Sequence, residues 1–218
     1  MNGGGPTVQR GALATVRNNT LGDVVQFQYN PESIARTFTP RMSWGGGSEN
    51  GAPSMQSNLL DAPGQSIVFK AYFDAADALA AGDRTAAVSG IAPQLAVLES
   101  FLYPTRDAFQ RYESQRGDGM NGAVMQAPRT ILVWGERRVY PVRLTNLAIT
   151  EEAFNAALSP IRASAQITVE VVTYGMRTQG DSDYKLFGAY HVGLERLAKS
   201  ATTVDSRTRS SLASRAKG

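Results

Sequence analysis

Few residues in this sequence could carry chemistry, and the first of them is its single histidine, His191. A Ser-His-Asp site or a histidine metal site needs this residue type, but no residue near His191 stands at a metal-ligand spacing. A lone histidine is more often a structural or surface residue than a ligand. The chain contains no cysteine, which excludes disulfides, zinc-thiolate sites and cysteine nucleophiles.

Two pairs of carboxylates could in principle bind a cation or exchange protons. Asp181 and Asp183 form an Asp-x-Asp pair, but Ca²⁺ needs roughly six or more oxygen ligands and no further acidic cluster lies nearby. A solvated loop is therefore the better interpretation of this pair. Glu151 and Glu152 are adjacent, so their side chains would point in different directions and would not act as an acid-base pair.

Two glycine runs and a basic C-terminal stretch complete the candidates. Residues 3–5 and 45–47 are Gly-Gly-Gly, but neither run forms a Gly-x-x-x-x-Gly-Lys-Ser/Thr loop, so both are interpreted as flexible segments. The C-terminal stretch carries Arg207, Arg209 and Arg215 with no aromatic residue to stack on bases. We expect a solvated or partner-ordered tail, and the sequence predicts no catalytic, cofactor-binding or metal-binding residue.

The composition is typical of a globular chain with many turns. The 218 residues include 21 glycines and 10 prolines, which favours a fold with many strands over a helical bundle. The net charge of +3, from 22 basic and 19 acidic residues, is weak support for a nucleic-acid partner, and we expect none. The N-terminus does not resemble a signal peptide, and no window is long and apolar enough to cross a bilayer. We therefore expect cytoplasmic assembly and no stable membrane insertion.

Alternating apolar and polar residues predict a chain made mainly of β-strands. The expected strands are Ala12–Val16, Val24–Tyr29, Ser66–Phe73, Thr130–Trp134, Arg137–Leu144, Leu147–Thr150 and Ile161–Tyr174.

Helices and long loops are expected between these strands. A helix is predicted at Ile91–Tyr103, with Ile91, Leu95, Leu98 and Leu102 on one stripe, and another at Tyr184–Ala198. Loops are predicted at 36–65, 106–127 and 151–160, and a loop or short helix at 75–87.

Four segments, taken in order, resemble the contractile injection system tube protein family. Residues 25–34 resemble its opening strand with Asn-Pro-Glu-Ser, and residues 69–74 resemble a strand end in Phe-Asp. Residues 128–135 are similar to its Pro-to-Trp-Gly strand, and residues 144–163 to its segment that leads through Pro-Ile-Arg-Ala into a long strand.

The resemblance implies a mainly β fold, either a β-sandwich or a partial barrel like a tail tube, with a flanking helix and a C-terminal helix. We divide the chain into a flexible arm at 1–11, a tube-like β domain at 12–175, a linker and C-terminal helix at 176–200, and a disordered tail at 201–218. Many members of the family carry a LysM module after the tube domain, and no such module is evident here.

In function, the resemblance implies a non-enzymatic subunit of a phage-tail-like particle that can be released from the cell. The subunit would be a tube initiator that forms a hexameric ring between the inner tube protein and the baseplate hub or spike. Open sheet edges would pair between copies, and the loops at 36–65 and 106–127 would contact the next ring or the hub. Ser164, Gln166 and Thr168 would either line a water-filled lumen or face bulk solvent.

Two alternatives stay open at this point. A monomeric carbohydrate- or ligand-binding β-sandwich would share the strand count and the aromatic content. An enzyme with an unrecognised site would need convergent titratable groups, which a chain with one histidine and no cysteine makes hard to build.

Overall fold

The computed structural model describes residues 10–17, 20–49, 52–117, 125, 127–201, 207, 210, 214 and 215, with the backbone alone at 44–49 and 52–57. The strands are β1 (Ala12–Arg17), β2 (Thr20–Gln26), β3 (Ile34–Glu49), β4 (Ala52–Asp74), β5 (Thr130–Val133), β6 (Val139–Phe154) and β7 (Pro160–Val171). The helices are α1 (Ala76–Ala80), α2 (Arg84–Ser89), α3 (Ala92–Ser100), α4 (Arg106–Gly117) and α5 (Ser182–Lys199), with a 3₁₀ turn at Tyr174–Met176.

The described strands form one antiparallel sheet of seven, in the order β2-β1-β5-β6-β7-β4-β3. This confirms the mainly β fold, and α5 confirms the predicted C-terminal helix. The sheet does not close into a complete barrel, because β2 and β3 lie at its two edges. The predicted lengths of several connections between these elements were wrong.

Three segments predicted as loops contain regular structure. Residues 36–49 and 52–65 belong to β3 and β4, which pair along their length, and most of residues 106–127 that the structure describes form α4. Residues 151–154 continue β6, which leaves a connection of only five residues before β7. The 36–65 segment has small and polar residues because most of it lies outside the core, so it lacks the apolar alternation that marks a half-buried strand.

The core is built on alternate residues of β4 and β7, as the period of two predicts. Phe69 of β4 lies opposite Ile167 of β7, and both are buried. Helix α3 adds buried Leu95 and Leu98 to the same core. Leu102, which was predicted on the same stripe, lies beyond the end of the helix and is exposed. The other buried core positions of the two strands are Ile67, Ala71, Phe73, Ala163, Ala165, Val169 and Val171.

The sheet rolls up so that strands far apart in its order come into contact. Strands β2 and β4 are five places apart, which in a flat sheet would separate them by roughly 24 Å. Yet the ring of Phe27, just after β2, lies 5.2 Å from that of Phe69 in β4. Trp134, just after β5, completes this aromatic cluster at 5.4 Å from Phe69. The sheet is therefore a partial barrel with an aromatic centre.

A side-chain amide closes the roll where no strand pairing exists. The Gln28 amide donates to the backbone carbonyl of Asp74 and accepts from the Asp74 N–H, both at 2.9 Å. This pair of bonds imitates one step of a β-ladder between the end of β2 and the end of β4. The Asp74 carboxylate in turn accepts from the Ala76 N–H at 2.7 Å and from Arg162 Nε at 2.9 Å. We call this group of residues the seam.

Replacement of Gln28 by alanine is expected to weaken the fold. The substitution leaves the N–H and C=O of Asp74 without their partner, so we expect the free energy of unfolding to fall by about 1–3 kcal/mol in urea denaturation. Gln26→Ala, at an exposed position of β2 two residues earlier, is the matched control and should change stability by less than about 0.5 kcal/mol. Equal losses for the two variants would contradict the role of the seam.

The seam also predicts an acid dependence of stability. The hydrogen bond from the Ala76 N–H, and after it the Arg162 guanidinium, lower the pKa of Asp74 below its ordinary value of 3.8. A carboxylate with a lowered folded-state pKa stabilises the protein above the unfolded value, and this stabilisation is lost as the pH falls through the folded value. The stability gap between wild type and Asp74→Asn should therefore be full at neutral pH and shrink below pH 3.8.

Urea denaturation at neutral pH and at about pH 2 measures this gap. Asp77→Asn, at an exposed position in α1, controls for the general effect of removing one negative charge. A gap of constant size at both pH values would show that the charge of Asp74 does not contribute.

Candidate assembly surfaces

His191 lies on the exposed side of α5, next to an aromatic cluster. Its Nδ1 is 3.4 Å from the Tyr174 hydroxyl, and the two rings are 5.9 Å apart. Phe187, one turn earlier in the helix, packs edge-on against the same tyrosine. The contacts of His191 are therefore those of a packing residue.

The two aspartates of the Asp-x-Asp pair begin the helix and anchor it. Asp181 is the N-cap of α5, and its carboxylate accepts from the Asp183 N–H at 2.7 Å. Asp183 is buried and forms ion pairs with Arg129 and, at 3.6 Å, with Arg177. The interpretation as a solvated loop was wrong for Asp183, because this carboxylate holds α5 against the segment before β5.

The remaining chemical candidates do not converge. Glu152 of β6 accepts a hydrogen bond from the hydroxyl of Ser164 in the neighbouring strand β7 at 3.1 Å. Glu151 is exposed on β6. Across the described ranges, no three histidine, aspartate or glutamate side chains meet in a possible metal site. Residues 45–47 lie within β3, whereas residues 3–5 and Arg209 fall outside the described residues.

The cavity beside the α5 anchor measures about 620 Å³ and has a charged lining. In this lining, Asp183 is ion-paired with Arg129 and Arg177, and Asp181 is ion-paired with Arg177 at 3.7 Å. Arg143, also in the lining, stands opposite Glu170 in the ladder between β6 and β7. The charges around this cavity are therefore arranged in pairs of opposite sign, as in structural ion pairs.

In the described part of the chain, no helix has both the length and the apolar character required to span a bilayer.

The most unusual surface is the free edge of β3. This strand has 16 residues and, among the described strands, pairs with β4 alone, so its other side presents a row of backbone N–H and C=O groups. Typical strands have about 3–10 residues, and long edge strands are ready templates for pairing with another chain. The opposite edge, β2, is seven residues long and exposes Leu21 and Val24.

The β3–β4 hairpin extends far beyond the rest of the sheet. β4 pairs with β7 from Ser66 to Asp74, whereas its earlier residues, from Ala52, pair with β3 alone. We call the hairpin residues 38–49 and 52–65 the arm. Twelve residues of β3 in this ribbon correspond to a length of about 40 Å.

Two prolines interrupt the ladder where the arm leaves the sheet. Pro40 in β3 and Pro63 in β4 have no N–H to donate, and the register shifts between Thr39 and Arg41. Such irregularities bend and twist a β-ribbon locally. The direction of the arm is therefore set at this level, which we call the arm base.

A carboxylate braces the arm base against the segment that leads into α5. Asp61 accepts from the Ala62 N–H at 2.6 Å and lies 3.8 Å from Arg41 across the ribbon. Its Oδ2 occupies the space beside Gly175 so closely that a Cβ on this glycine would lie 1.7 Å away. Only glycine at position 175 leaves room for the carboxylate in this arrangement.

The face of the sheet opposite the core is polar and small where β6, β7 and β4 meet. One cross-strand row on it contains Ala148, Gln166 and Lys70. Gln166 is exposed and Thr168 half-buried, whereas Ser164 is buried beneath its bond to Glu152. Two of the three residues predicted for this face are thus accessible in the single chain.

Sequence reasoning missed the arm, although one signal for it was present. Asn50-Gly51 stands between Glu49 and Ala52, which are paired in the ladder. Asn-Gly is the dipeptide that most strongly favours a two-residue hairpin loop. The seam and the contact of Asp61 with Gly175, which we call the brace, gave no such signal, because these residues are far from their partners in sequence.

Comparison with known proteins gives a family and two structural likenesses. Residues 12–179 match the family model described as contractile injection system tube protein. A chain in the virion of a native gene transfer agent particle is 11% identical, with a TM-score of 0.27, and the alignment covers 73% of this chain and 90% of that chain. A chain in the tail of an empty gene transfer agent particle is 10% identical, with a TM-score of 0.24 and coverages of 64% and 74%. No curated protein sequence matches.

The match to the family model extends over residues 12–179 of the 218 residues and includes every strand of the sheet. The four segments that resemble the family in sequence fall within this range. The chain belongs to the contractile injection system tube protein family.

Proposed function

We propose that this chain is a tube-initiator subunit that forms a hexameric ring between the inner tube and the baseplate hub or spike of a phage-tail-like particle. The observation that carries this proposal is the 16-residue edge strand β3, which also forms one side of the arm. A soluble monomer with such an edge would be prone to uncontrolled association. In a ring, the same edge has a defined partner.

Ring closure would join the β3 edge of one copy to the β2 edge of its neighbour. Each added pair satisfies backbone groups that the single chain leaves to water, and six equivalent contacts close without a free end. The partial barrel would then become a segment of one continuous wall. This role is structural, and it requires neither a cofactor nor a reaction.

The polar face of β6, β7 and β4 suits the inside of such a wall. Gln166 and Lys70 stand in one row, and small Ala148 leaves the row flat. A water-filled lumen favours polar and small side chains, because an exposed apolar surface would bind passing cargo non-specifically. The outer side of the wall would carry α3 and α5, which cover the core face.

The arm suits contact with a second layer. Its length of about 40 Å exceeds the thickness of the sheet region from which it extends, where nine paired residues of β4 correspond to about 30 Å. An arm of this length can reach past the neighbouring copy to the next ring or to the hub. We expect assembly in the cytoplasm and release within the completed particle.

Shortening the arm is expected to block assembly without unfolding the chain. We would replace residues 43–58 by Asn-Gly, because Met42 and Leu59 are paired and can flank a two-residue loop. The variant should remain a folded monomer by circular dichroism and thermal melting, since it retains the core. Its amount in purified particles should fall to background, as judged by immunoblotting. Normal incorporation of the shortened chain would contradict the proposed role of the arm.

A single methyl group at the arm base is expected to misdirect the arm. Gly175→Ala forces the Asp61 carboxylate to move and to give up its bond to the Ala62 N–H. We expect faster amide hydrogen exchange in residues 34–65 and reduced incorporation into particles, with little change in the melting temperature. Gly180→Ala is the matched control, because no atom lies within 4 Å of a Cβ at that position. Unchanged exchange in the arm of Gly175→Ala would show that the brace does not set its direction.

A further inference from the structure

Four polar side-chain atoms lie inside the protein without a hydrogen-bond partner among the described residues. They are Gln65 Nε2, Tyr140 Oη, Thr173 Oγ1 and Tyr190 Oη. Buried polar groups in native proteins are bonded in the large majority of cases, either to the protein or to ordered water. A group of such atoms therefore points to a partner outside the polypeptide chain.

Two of these residues are neighbours across the ladder of β6 and β7. The Val172 N–H donates to the Pro141 carbonyl at 2.8 Å, which continues this ladder beyond the end of β7. Thr173 and Tyr140 are the next residues of the two chains, and they are 1% and 0% exposed. Thr173 precedes the 3₁₀ turn, but its hydroxyl does not cap that turn. Both hydroxyls therefore enter the core on the same face, from neighbouring positions.

The side chain of Tyr140 connects these positions with two other segments. Its ring lies 4.6 Å from the ring of Tyr190 in α5. Burial, and after it the nearby Tyr190 hydroxyl, raise the pKa of Tyr140 to about 12, whereas Arg36 acts in the opposite direction. Arg36 is in β3 and is paired with Ile67, two residues from Gln65 in β4. The Tyr140 hydroxyl thus extends toward the part of β3 and β4 where the Gln65 amide is buried.

These atoms offer donors together with acceptors, which is what a water molecule needs. The amide nitrogen of Gln65 only donates, whereas the threonine and tyrosine hydroxyls both donate and accept. A buried water typically makes about three hydrogen bonds to polar groups that lack another partner. The side chains gathered here are enough to hold a water molecule in this way.

A buried anion fits the same place less well. The side chains that carry the four atoms are all neutral, and Tyr140 keeps its proton at neutral pH because its pKa is raised. The cation that affects this hydroxyl, Arg36, is an exposed residue whose guanidinium lies over the ring of Phe38 at 5.7 Å. Because a buried charge needs a buried counter-charge, a neutral occupant is favoured.

We propose that ordered water connects α5 to the base of the arm, bound by the side chains of Gln65, Tyr140, Thr173 and Tyr190. Tyr190 belongs to α5, and Gln65 is the residue at which β4 leaves the arm and enters the sheet. The water site is thus a second connection at this level, in addition to the brace. It belongs to the single chain, so its tests are independent of the ring proposed above.

A crystal structure of the purified chain tests the occupant directly. We expect a water within hydrogen-bond distance of the Tyr140 hydroxyl and of the Gln65 amide or the Tyr190 hydroxyl. Direct hydrogen bonds among these side chains, with no water between them, would overturn the proposal. An ion at the same place, recognised by its stronger density and its coordination, would overturn it as well.

Tyr190→Phe tests the site in solution through the sign of its effect. If the hydroxyl binds water, its loss leaves the water and the remaining groups with fewer bonds, and the unfolding equilibrium constant in urea should rise about fivefold. The matched control is Tyr184→Phe, because the Tyr184 ring packs against Tyr174 at 4.8 Å and its hydroxyl is not one of the four atoms. A hydroxyl without any bond could be removed without loss, so unchanged or increased stability of Tyr190→Phe would overturn the proposal.

Coupling between two variants distinguishes shared water from two unrelated sites. Tyr190 and Thr173 have no direct hydrogen bond with each other, and Thr173→Val removes the hydroxyl while it keeps the shape of the side chain. If both hydroxyls bind the same water, the double variant should be destabilised by much less than the product of the two separate effects. Effects that multiply without coupling would show that no water joins α5 to the end of β7, which contradicts the proposal.

Amide hydrogen exchange tests the connection to the arm. In Tyr190→Phe, residues 62–66 around Gln65 should exchange faster than in wild type, because the arm base loses one of its connections to α5. In Tyr184→Phe, the same amides should exchange as in wild type. Unchanged exchange of these amides in Tyr190→Phe would contradict the proposed connection.

Discussion

The structure depends on β4 being one continuous strand with two environments. From Ser66 to Asp74 it pairs with β7, and as far as Phe69 also with β3, and its residues alternate between buried and accessible; from Ala52 to Gln65 it pairs with β3 alone. The buried half fixes the register, because a shift by one residue would move Ile67 and Phe69 to the polar face. That register is then transmitted along the same backbone into the arm. A feature outside the core thus acquires a defined position from contacts inside it.

The open edges follow from the way the sheet rolls. The aromatic cluster of Phe27, Phe69 and Trp134 pulls distant strands together on the core face. Gln28 then satisfies the backbone of Asp74 with a side chain and not with a strand. Because the seam joins β2 to β4 through the side chain of Gln28 and not through a strand ladder, β2 and β3 remain the two edges among the described strands. The hydrophobic core is thus formed within one chain, whereas the backbone groups at the two sheet edges can pair with strands of other chains.

The buried half of the fold could be predicted from sequence, because its pattern is local. Alternation along residues 66–73 and 161–171 marks strands that face a core, and both strands are present where that alternation occurs. The arm could not be predicted this way, since a ribbon exposed on both faces needs no apolar residues at alternate positions. Pro40 and Pro63 give no strand signal either, because proline within a strand is acceptable only at an edge or an irregularity.

The sequence predicted that exposed sheet edges would be present, but it did not predict which strands would form them or which contacts would position them. Sheet edges follow from a mainly β chain, and four family-like segments pointed to a ring. Long-range contacts such as those of Asp183 with Arg129, or of Asp61 with Gly175, depend on how separate elements meet. No local pattern encodes them, so their roles emerge only from the fold.

The brace at Asp61 connects two parts of the chain that sequence treats as unrelated. Gly175 lies in the 3₁₀ turn that leads from β7 into α5, and Asp183 anchors the start of that helix through two arginines. A rigid anchor for α5 therefore also fixes the surface against which the arm base rests. Among the described strands, the two strands of the arm pair only with each other, so the direction of the arm depends on its base. Rigidity matters most at this level, because over an arm of about 40 Å a small change in angle at the base becomes a large displacement at the tip.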